Sequence, residues 1–293
     1  MSVPTYNQNN QLVVMPISSN NTAIAMPASK ECEKCGNAIK PTWSSYRKRF
    51  QINECPCVTY DRYVTEVYQT WLSLSGIPVK YANNFISQFD ATSNSRALQA
   101  AKAFLDHHYN FCLRPKLEGM SLFLQGPQGT GKTLLASGIA MELFQRAKVL
   151  LDEERHDDAD QIASLAWVSG TTLYHQAFGD DTAIPRGTLG KSTKLDTWKQ
   201  QLSHYKSVKL LILDDLGKEP VKSGNNFVGS YLFDIIEARY NNNLSTIVTC
   251  NQAITSIPDS YLMPILDRFK ETGYYVELSG ASNRKPKFPP LAS

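Results

Sequence analysis

The chain has 293 residues, of which 42% are hydrophobic and 10% aromatic, so it can bury a core in one large domain or two smaller ones. Its 30 Lys and Arg and 27 Asp and Glu leave a formal net charge of +3, which excludes a uniformly basic nucleic-acid binder. No apolar run approaches the ~20 residues that a membrane-spanning helix needs, and the N-terminus does not read as a signal peptide. We therefore expect a soluble, cytoplasmic protein with no membrane partner.

Composition divides the chain into three predicted parts. Residues 1–29 are rich in Asn, Gln, Ser, Thr and Pro with almost no charge, which is typical of a flexible arm. Residues 30–75 hold a cluster of cysteines followed by a helical pattern over 59–75. Gly and Pro residues then interrupt the helical pattern, so we expect the main domain to cover residues 76–293.

The cysteine cluster consists of two close pairs, Cys32-x-x-Cys35 and Cys55-x-Cys57. In a reducing compartment such a cluster favours a metal site over disulfides. Four thiolates suit tetrahedral Zn²⁺, which would fold a segment too small to bury its own core. We interpret the cluster as a zinc site, with an iron–sulfur cluster and free thiols as the alternatives.

From residue 121 onward, apolar strand-like runs alternate with helical patterns. This alternation predicts an α/β domain with a parallel sheet flanked by helices. The strand-like runs cover residues 121–125, 163–169, 209–213, 245–250 and 274–278.

A glycine-rich loop follows the first of these strands and matches G-x-x-x-x-G-K-[ST] in full. Glycines let backbone N–H groups curl around the β- and γ-phosphates, and the helix that follows points its positive end at the anion. Lys132 would supply charge to the phosphates and Thr133 a hydroxyl to Mg²⁺. The pattern predicts a site for ATP and Mg²⁺, formed by Gly126, Pro127, Gln128, Gly129, Thr130, Gly131, Lys132 and Thr133.

Polar side chains end two further predicted strands. Asp214 and Asp215 follow a buried apolar run, and Asn251 follows the 245–250 run. At the carboxyl edge of a parallel sheet these side chains would lie beside the phosphate loop. We expect Asp214 to hold Mg²⁺, Asp215 to orient or deprotonate the attacking water, and Asn251 to bond the γ-phosphate or the water. The alternatives are an ordinary acidic turn and a strand-ending Asn.

These pieces together make the chain resemble the AAA+ ATPases, and among them the DnaC/DnaI/IstB-like group. That group comprises bacterial and phage helicase loaders and transposition helper ATPases. The resemblance spans about residues 76–285, and its most specific parts are Asp214-Asp215-Leu216-Gly217-Lys218-Glu219-Pro220 and Ile235-Ile236-x-x-Arg239-Tyr240. It implies an AAA+ P-loop NTPase fold and hydrolysis of ATP to ADP and phosphate.

The resemblance also implies roles for arginines. Arg268 lies in a segment similar to the one that carries the arginine finger, which would reach a neighbouring subunit's γ-phosphate. A finger acting in trans implies self-association into a ring or an open spiral. Arg284 lies in a segment similar to the sensor-2 region and would contact the bound nucleotide. Both could instead be ordinary surface arginines, and Arg239 matches the group without a clear role.

The partners follow from the same resemblance. We expect a loader whose N-terminal module binds the replicative DNA helicase and whose AAA+ domain binds single-stranded DNA in replication initiation. Residues 170–208, with Tyr174, His175, Arg186 and several lysines, suit single strands or form a solvated insertion. One alternative is an IstB-like transposition helper that binds DNA and a transposase. Another is a nucleotide-dependent scaffold with little turnover.

Overall fold

The computed structural model describes residues 30–33, 35–39, 41–44, 49–52, 55–178, 191–217, 227–251 and 262–282. The predicted arm 1–29, Arg186, Arg284 and the 218–220 part of the family-like run lie outside these residues. The chain divides into two compact units after Val67, within a helix that continues to Ser75. The domain boundary that we predict at residue 76 stays a prediction.

The N-terminal unit contains short antiparallel pairs and most of a long helix. β1 (Lys30–Glu31) pairs with β2 (Ala38–Ile39), and β3 (Pro41–Ser44) pairs with β4 (Arg49–Ile52). Helix α1 (Pro56–Ser75) begins directly after Cys55. These strands are too short to bury a core, which leaves the cysteines as the means of holding the segment together.

The second unit is built on a five-stranded parallel sheet in the order β6-β7-β8-β5-β9. The strands are β5 (Ser121–Gln125), β6 (Leu165–Ser169), β7 (Leu210–Leu216), β8 (Ser245–Cys250) and β9 (Gly273–Glu277). The helices are α2 (Ser95–Leu113), α3 (Lys132–Asp152), α4 (His156–Ala163), α5 (Gly170–Phe178), α6 (Lys191–Ser207), α7 (Phe227–Asn241) and α8 (Leu262–Thr272). Two 3₁₀ turns, Val79–Tyr81 and Ile86–Gln88, precede α2.

The predicted α/β fold with a parallel sheet and flanking helices is confirmed. β5 and β8 have the predicted bounds. β6 begins two residues later than predicted because α4 continues to Ala163. β7 continues past its predicted end at Leu213 through both aspartates. No helix within the described ranges has the length and apolar character needed to cross a membrane.

The strand order places β8 between β5, which leads into the glycine-rich loop, and β7, which carries the aspartates. Every residue of β5 and β8 is buried. Any polar side chain in the middle of the sheet therefore needs a hydrogen-bond partner within the protein. Because all five strands run in one direction, their polar C-terminal residues meet at one edge. The order therefore brings the loop, the end of β8 and the acidic pair side by side.

Arg239 has a structural role that the sequence did not reveal. Its side chain on α7 is only 1% exposed, and burial lowers its pKa to about 9. The guanidinium donates to five acceptors: the carbonyls of Tyr205, Val208, Lys209 and Ser245, and Oγ1 of Thr246. It thereby satisfies carbonyls at the end of α6 and joins α7 to the starts of β7 and β8.

We expect Arg239→Met to lower the free energy of unfolding by about 3 kcal/mol or more, because buried carbonyls would lose their donor. Arg146→Met is the matched control, since Arg146 forms a partly exposed ion pair with Asp106 at 2.7 Å and its loss should cost about 1 kcal/mol or less. Urea unfolding followed by circular dichroism measures both. Equal losses in the two variants would contradict the structural role of Arg239.

Candidate functional site

The glycine-rich loop forms a closed anion cradle between β5 and α3. Gly131 adopts φ +101° at the start of α3, and a Cβ there would lie 2.5 Å from the ring of Phe89, so only glycine fits. Lys132 Nζ donates to the carbonyls of Gly126 and Pro127 at 2.7 and 2.8 Å. The ammonium is therefore held inside the loop, where phosphate oxygens would replace the carbonyls as its acceptors.

The two aspartates lie in a β-bulge. Leu213 pairs with Val248 and Leu216 with Cys250, so β7 has one more residue than β8 over this stretch. Asp215 takes up the extra length with a left-handed backbone, φ +61°. A left-handed aspartate next to a strand end is strained, and such strain is concentrated at functional sites. The bulge turns both carboxylates towards the edge of the sheet.

Asp214 is the centre of the hydrogen bonding at this edge. Its Oδ1 accepts from Thr133 Oγ1 at 3.0 Å and from Thr249 Oγ1 at 2.7 Å, and its side chain is nearly buried. Burial raises the pKa of Asp214, while the bonds from Thr249 and Thr133 and the charge of Lys80 oppose that rise. A carboxylate and a hydroxyl this close offer two oxygen ligands to one divalent cation such as Mg²⁺.

Asp215 is positioned by one residue of β8 and by the residue that follows this strand. Its backbone N–H donates to Thr249 Oγ1 at 2.8 Å, and its carboxylate accepts from Asn251 Nδ2. The Thr249 hydroxyl thus donates to one aspartate and accepts from the other. Thr249 was not predictable as a site residue, because a buried Thr within a strand carries no signature of its own.

A cavity of about 1,000 Å³ joins these groups, which is at the upper end of ligand-pocket sizes. It brings together Lys132, Thr133, Asp214, Asp215 and Asn251, as the sequence analysis expected. Further lining residues were missed: Lys80, Tyr81, Asn84, Gln88, Phe89, Asp90 and Ser282.

Most of the missed residues belong to a segment that we call the collar, residues 79–90. The collar is fixed to α3, since Asn84 Nδ2 donates to Ser137 Oγ at 2.8 Å and the Ile86 N–H donates to Glu142 Oε1 at 3.0 Å. These contacts join residues more than 50 positions apart, so no local pattern could reveal them. The collar therefore forms one wall of the cavity.

The chain after β9 also reaches the loop. Asn94 exchanges two hydrogen bonds of 2.9 Å with the backbone of Ser279, across 185 positions. Asn94 is the N-cap residue of α2, yet its side chain makes this distant contact and does not cap the helix. Ser282 then lies against Gly129, where a Cβ would be 2.1 Å from its Oγ. Arg284, the predicted nucleotide contact, follows but lies outside the described residues.

The four clustered cysteines have the geometry of a metal site. Their sulfur atoms all lie within 4.8 Å of one another. Cys32–Cys57 and Cys35–Cys55 are each 3.6 Å apart, with Cys57 3.7 Å from Cys35 and 3.3 Å from Cys55. Tetrahedral Zn²⁺ with Zn–S bonds of about 2.3 Å requires sulfur separations of about 3.8 Å. The four sulfurs therefore fit a tetrathiolate site.

The crowding of these thiols opposes their ionisation without a cation. The hydrogen bond with Cys55, followed by desolvation, raises the pKa of Cys57 to about 12. A divalent cation inverts this situation because it favours deprotonated sulfur. Gly36 supports the arrangement with φ +71° and an N–H that donates to the Cys32 carbonyl at 2.8 Å. The segment is thus arranged so that a bound cation would stabilise it.

Several solved structures are similar to part of this chain. The chain is similar to DnaI, to a DnaC helicase loader and to the initiator DnaA. The DnaI structure is 19% identical, with 71% of this chain and 95% of that chain covered and a TM-score of 0.45. The DnaC helicase loader is 21% identical over 69% and 100%, with a TM-score of 0.42. DnaA bound to AMPPCP and single-stranded DNA is 20% identical over 70% and 52%, with a TM-score of 0.47.

No protein-family model matches the chain. RuvB-like protein 1 of Arabidopsis thaliana is 38% identical over 79 residues, which is 27% of this chain and 15% of that protein. The match thus spans a small fraction of that relative. With identities near 20% and TM-scores below 0.5 among the structures, function has to be argued from the site itself.

Arg268 lies away from the loop cavity. It pairs with Glu237 and sits over the rings of Phe233 and Tyr240, at 5.2 and 5.5 Å from their centroids. It lines a second cavity, of about 820 Å³, together with residues such as Ser121 at the N-terminal ends of the strands. Within its own chain, Arg268 is therefore not among the residues that surround the phosphate loop.

The segment proposed to contact DNA is mostly helical. It contains α5 and α6, with residues 179–190 outside the described residues. Tyr174 is 5% exposed and Trp198 7% exposed, so neither ring offers a face for base stacking. Lys199 is exposed. Any contact of α5 and α6 with single strands would accordingly rest on charge more than on these aromatics.

We expect the purified full chain to contain about one Zn²⁺, measured by elemental analysis. Cys57→Ala should bind the metal much more weakly and lower its content well below one, because the fourth ligand would be water instead of a thiolate, whereas Cys112→Ala should retain it. Cys112 is a suitable control since it is a half-buried thiol bonded to His108 at 3.4 Å. Iron with labile sulfide would select the iron–sulfur alternative, and a metal-free wild type would contradict the site.

Proposed function

We propose that the chain binds MgATP in the loop cavity and hydrolyses it to ADP and phosphate. The observation that carries this proposal is the hydrogen bonding of Asp214 to Thr133 at the start of α3 and to Thr249 on β8. It joins the phosphate loop to the acidic strand at one point. The P-loop motif and the cavity support the same activity.

In this proposal each side chain has a distinct role. Lys132 turns from the loop carbonyls to the β- and γ-phosphates, and the N–H groups at the start of α3 bind phosphate oxygens. Thr133 and Asp214 would hold Mg²⁺, which neutralises phosphate charge and polarises the γ-phosphoryl group. Asp215 accepts a proton from the attacking water, while Asn251 orients that carboxylate or the water itself.

We further propose that this activity serves the loading of a replicative DNA helicase. The support is the resemblance to the DnaC/DnaI/IstB-like group, carried by runs that are more specific than the P-loop. In this proposal the module of residues 30–75 binds the helicase, and the ATPase domain of residues 76–293 engages single-stranded DNA. The four-sulfur cluster gives the module a means to fold and to present a surface.

Self-association belongs to the same proposal. Arg268 does not line its own loop cavity, so a catalytic role for it requires a neighbouring subunit. Its ion pair with Glu237 and its stacking on two rings would hold the guanidinium at the surface that meets the neighbour. A ring or an open spiral would then place one subunit's Arg268 at the next subunit's γ-phosphate.

Steady-state ATP hydrolysis tests the enzyme. We expect Lys132→Ala to lower kcat/KM at least about 100-fold through lost phosphate binding, and Asp215→Asn to lower kcat about 100-fold while ATP still binds. Asp152→Asn, an exposed carboxylate at the far end of α3, should behave as wild type. Wild-type turnover no higher than that of the two site variants would favour the non-hydrolysing scaffold.

A pull-down with ATP tests the partner. The full chain should capture the host's replicative helicase, Cys57→Ala should not, and Cys112→Ala should capture it normally because its sulfur is outside the cluster. Capture of a co-encoded transposase without the helicase would favour the IstB-like transposition helper. Capture of the helicase by Cys57→Ala would show that the cysteine module is not the binding part.

A further inference from the structure

The loop cavity contains a second lysine outside the P-loop motif. Among its described lining residues, Lys80 and Lys132 are the cations, and Asp90, Asp214 and Asp215 are the carboxylates. The described lining therefore has one more carboxylate than it has cations. A triphosphate with Mg²⁺ brings further negative charge, so each lysine matters for binding.

The collar places Lys80 at the aspartate side of the cavity. The ring of its neighbour Tyr81 packs on Trp167 of β6, with centroids 5.8 Å apart. Trp167 pairs in register with Ile212 of β7, two residues before Asp214. Lys80 and Asp214 both line the loop cavity. Because Asp214 is a proposed Mg²⁺ ligand, a nucleotide bound with Mg²⁺ would bring its terminal phosphate to this part of the cavity.

The backbone before the turn fixes this position. Gly76 has φ +73°, and a Cβ there would lie 2.9 Å from the carbonyl oxygen of Trp167. The chain thus approaches β6 closely just before the 3₁₀ turn that carries Lys80. Lys80 is anchored through its backbone and its neighbour, while its own side chain is exposed to the cavity.

The ammonium group of Lys80 makes a contact that a phosphate could replace. Its Nζ lies 4.6 Å from the centroid of the Tyr81 ring. A cation–π contact at an exposed site is weak, and a hydrogen bond to a phosphate oxygen is charge-assisted and stronger. Tyr81 therefore keeps the ammonium near the cavity and would release it when an anion arrives.

We propose that Lys80 is a second phosphate-binding cation of this site and contacts the γ-phosphate of a bound nucleoside triphosphate beside Asp214. The proposal rests on the proposed nucleotide binding and adds discrimination between triphosphate and diphosphate. Lys132 lies within the loop and would contact both the triphosphate and the diphosphate. Lys80 lies on the collar wall of the same cavity and would contact only a ligand that has a third phosphate.

The test compares the affinities of the full chain for Mg·ATPγS and Mg·ADP by isothermal titration calorimetry. We expect Lys80→Gln to weaken ATPγS binding about tenfold and ADP binding about twofold or less, the cost of one charge-assisted hydrogen bond. Lys80→Arg should keep most of the preference for ATPγS. Lys102→Gln, on the exposed face of α2, removes a positive charge elsewhere and should leave both affinities unchanged.

The outcomes separate this proposal from the one on which it rests. Wild-type binding of both nucleotides with an unchanged ratio in Lys80→Gln overturns the role of Lys80 and leaves nucleotide binding intact. An equal loss for both ligands also overturns it, because ADP has no γ-phosphate for Lys80 to contact. If the wild type binds neither nucleotide, the proposed function fails and the role of Lys80 fails with it.

Discussion

The site depends on one buried carboxylate with two donors. The Asp214 carboxylate is buried at the end of β7. Removing a carboxylate from water is unfavourable unless its oxygens are hydrogen-bonded. Thr133 and Thr249 supply the bonds, and they come from the start of α3 and from the strand beside β7. The same two contacts that make the burial tolerable also fix the distance between the phosphate loop and the acidic edge. Stability and the placement of the site therefore have a common origin.

The strand order explains why such a junction can form. With β8 between β5 and β7, one threonine on β8 reaches both aspartates, and Asn251 follows it at the edge. The extra residue in β7 supplies the turn that a regular strand would not allow, at the cost of a left-handed Asp215. A regular ladder would point successive side chains to opposite faces of the sheet. The bulge is what lets both carboxylates serve one cavity.

Local patterns in the sequence sufficed for the parts of the site that local chemistry defines. The loop, β5 and β8 were predictable because spacing and apolar runs determine them within a few residues. The collar and the Asn94–Ser279 contact were not, since their partners are distant along the chain and involve ordinary polar residues. The burial of Tyr174 was likewise not predictable, because a polar segment gives no sign of which ring is buried. The role of Arg239 likewise depends on carbonyls that no sequence motif displays.

Both candidate sites share a physical design in which like groups are held together. Four sulfurs lie within 4.8 Å in one unit, and Asp214 and Asp215 adjoin at the edge of the sheet in the other. A bound cation would offset the repulsion between such groups in their charged forms. In the sulfur cluster the cation would complete the fold, because the short strands there bury little. In the loop cavity the fold is already complete, so cation and nucleotide can come and go. The first arrangement suits a permanent structural ion, and the second suits a ligand that turns over.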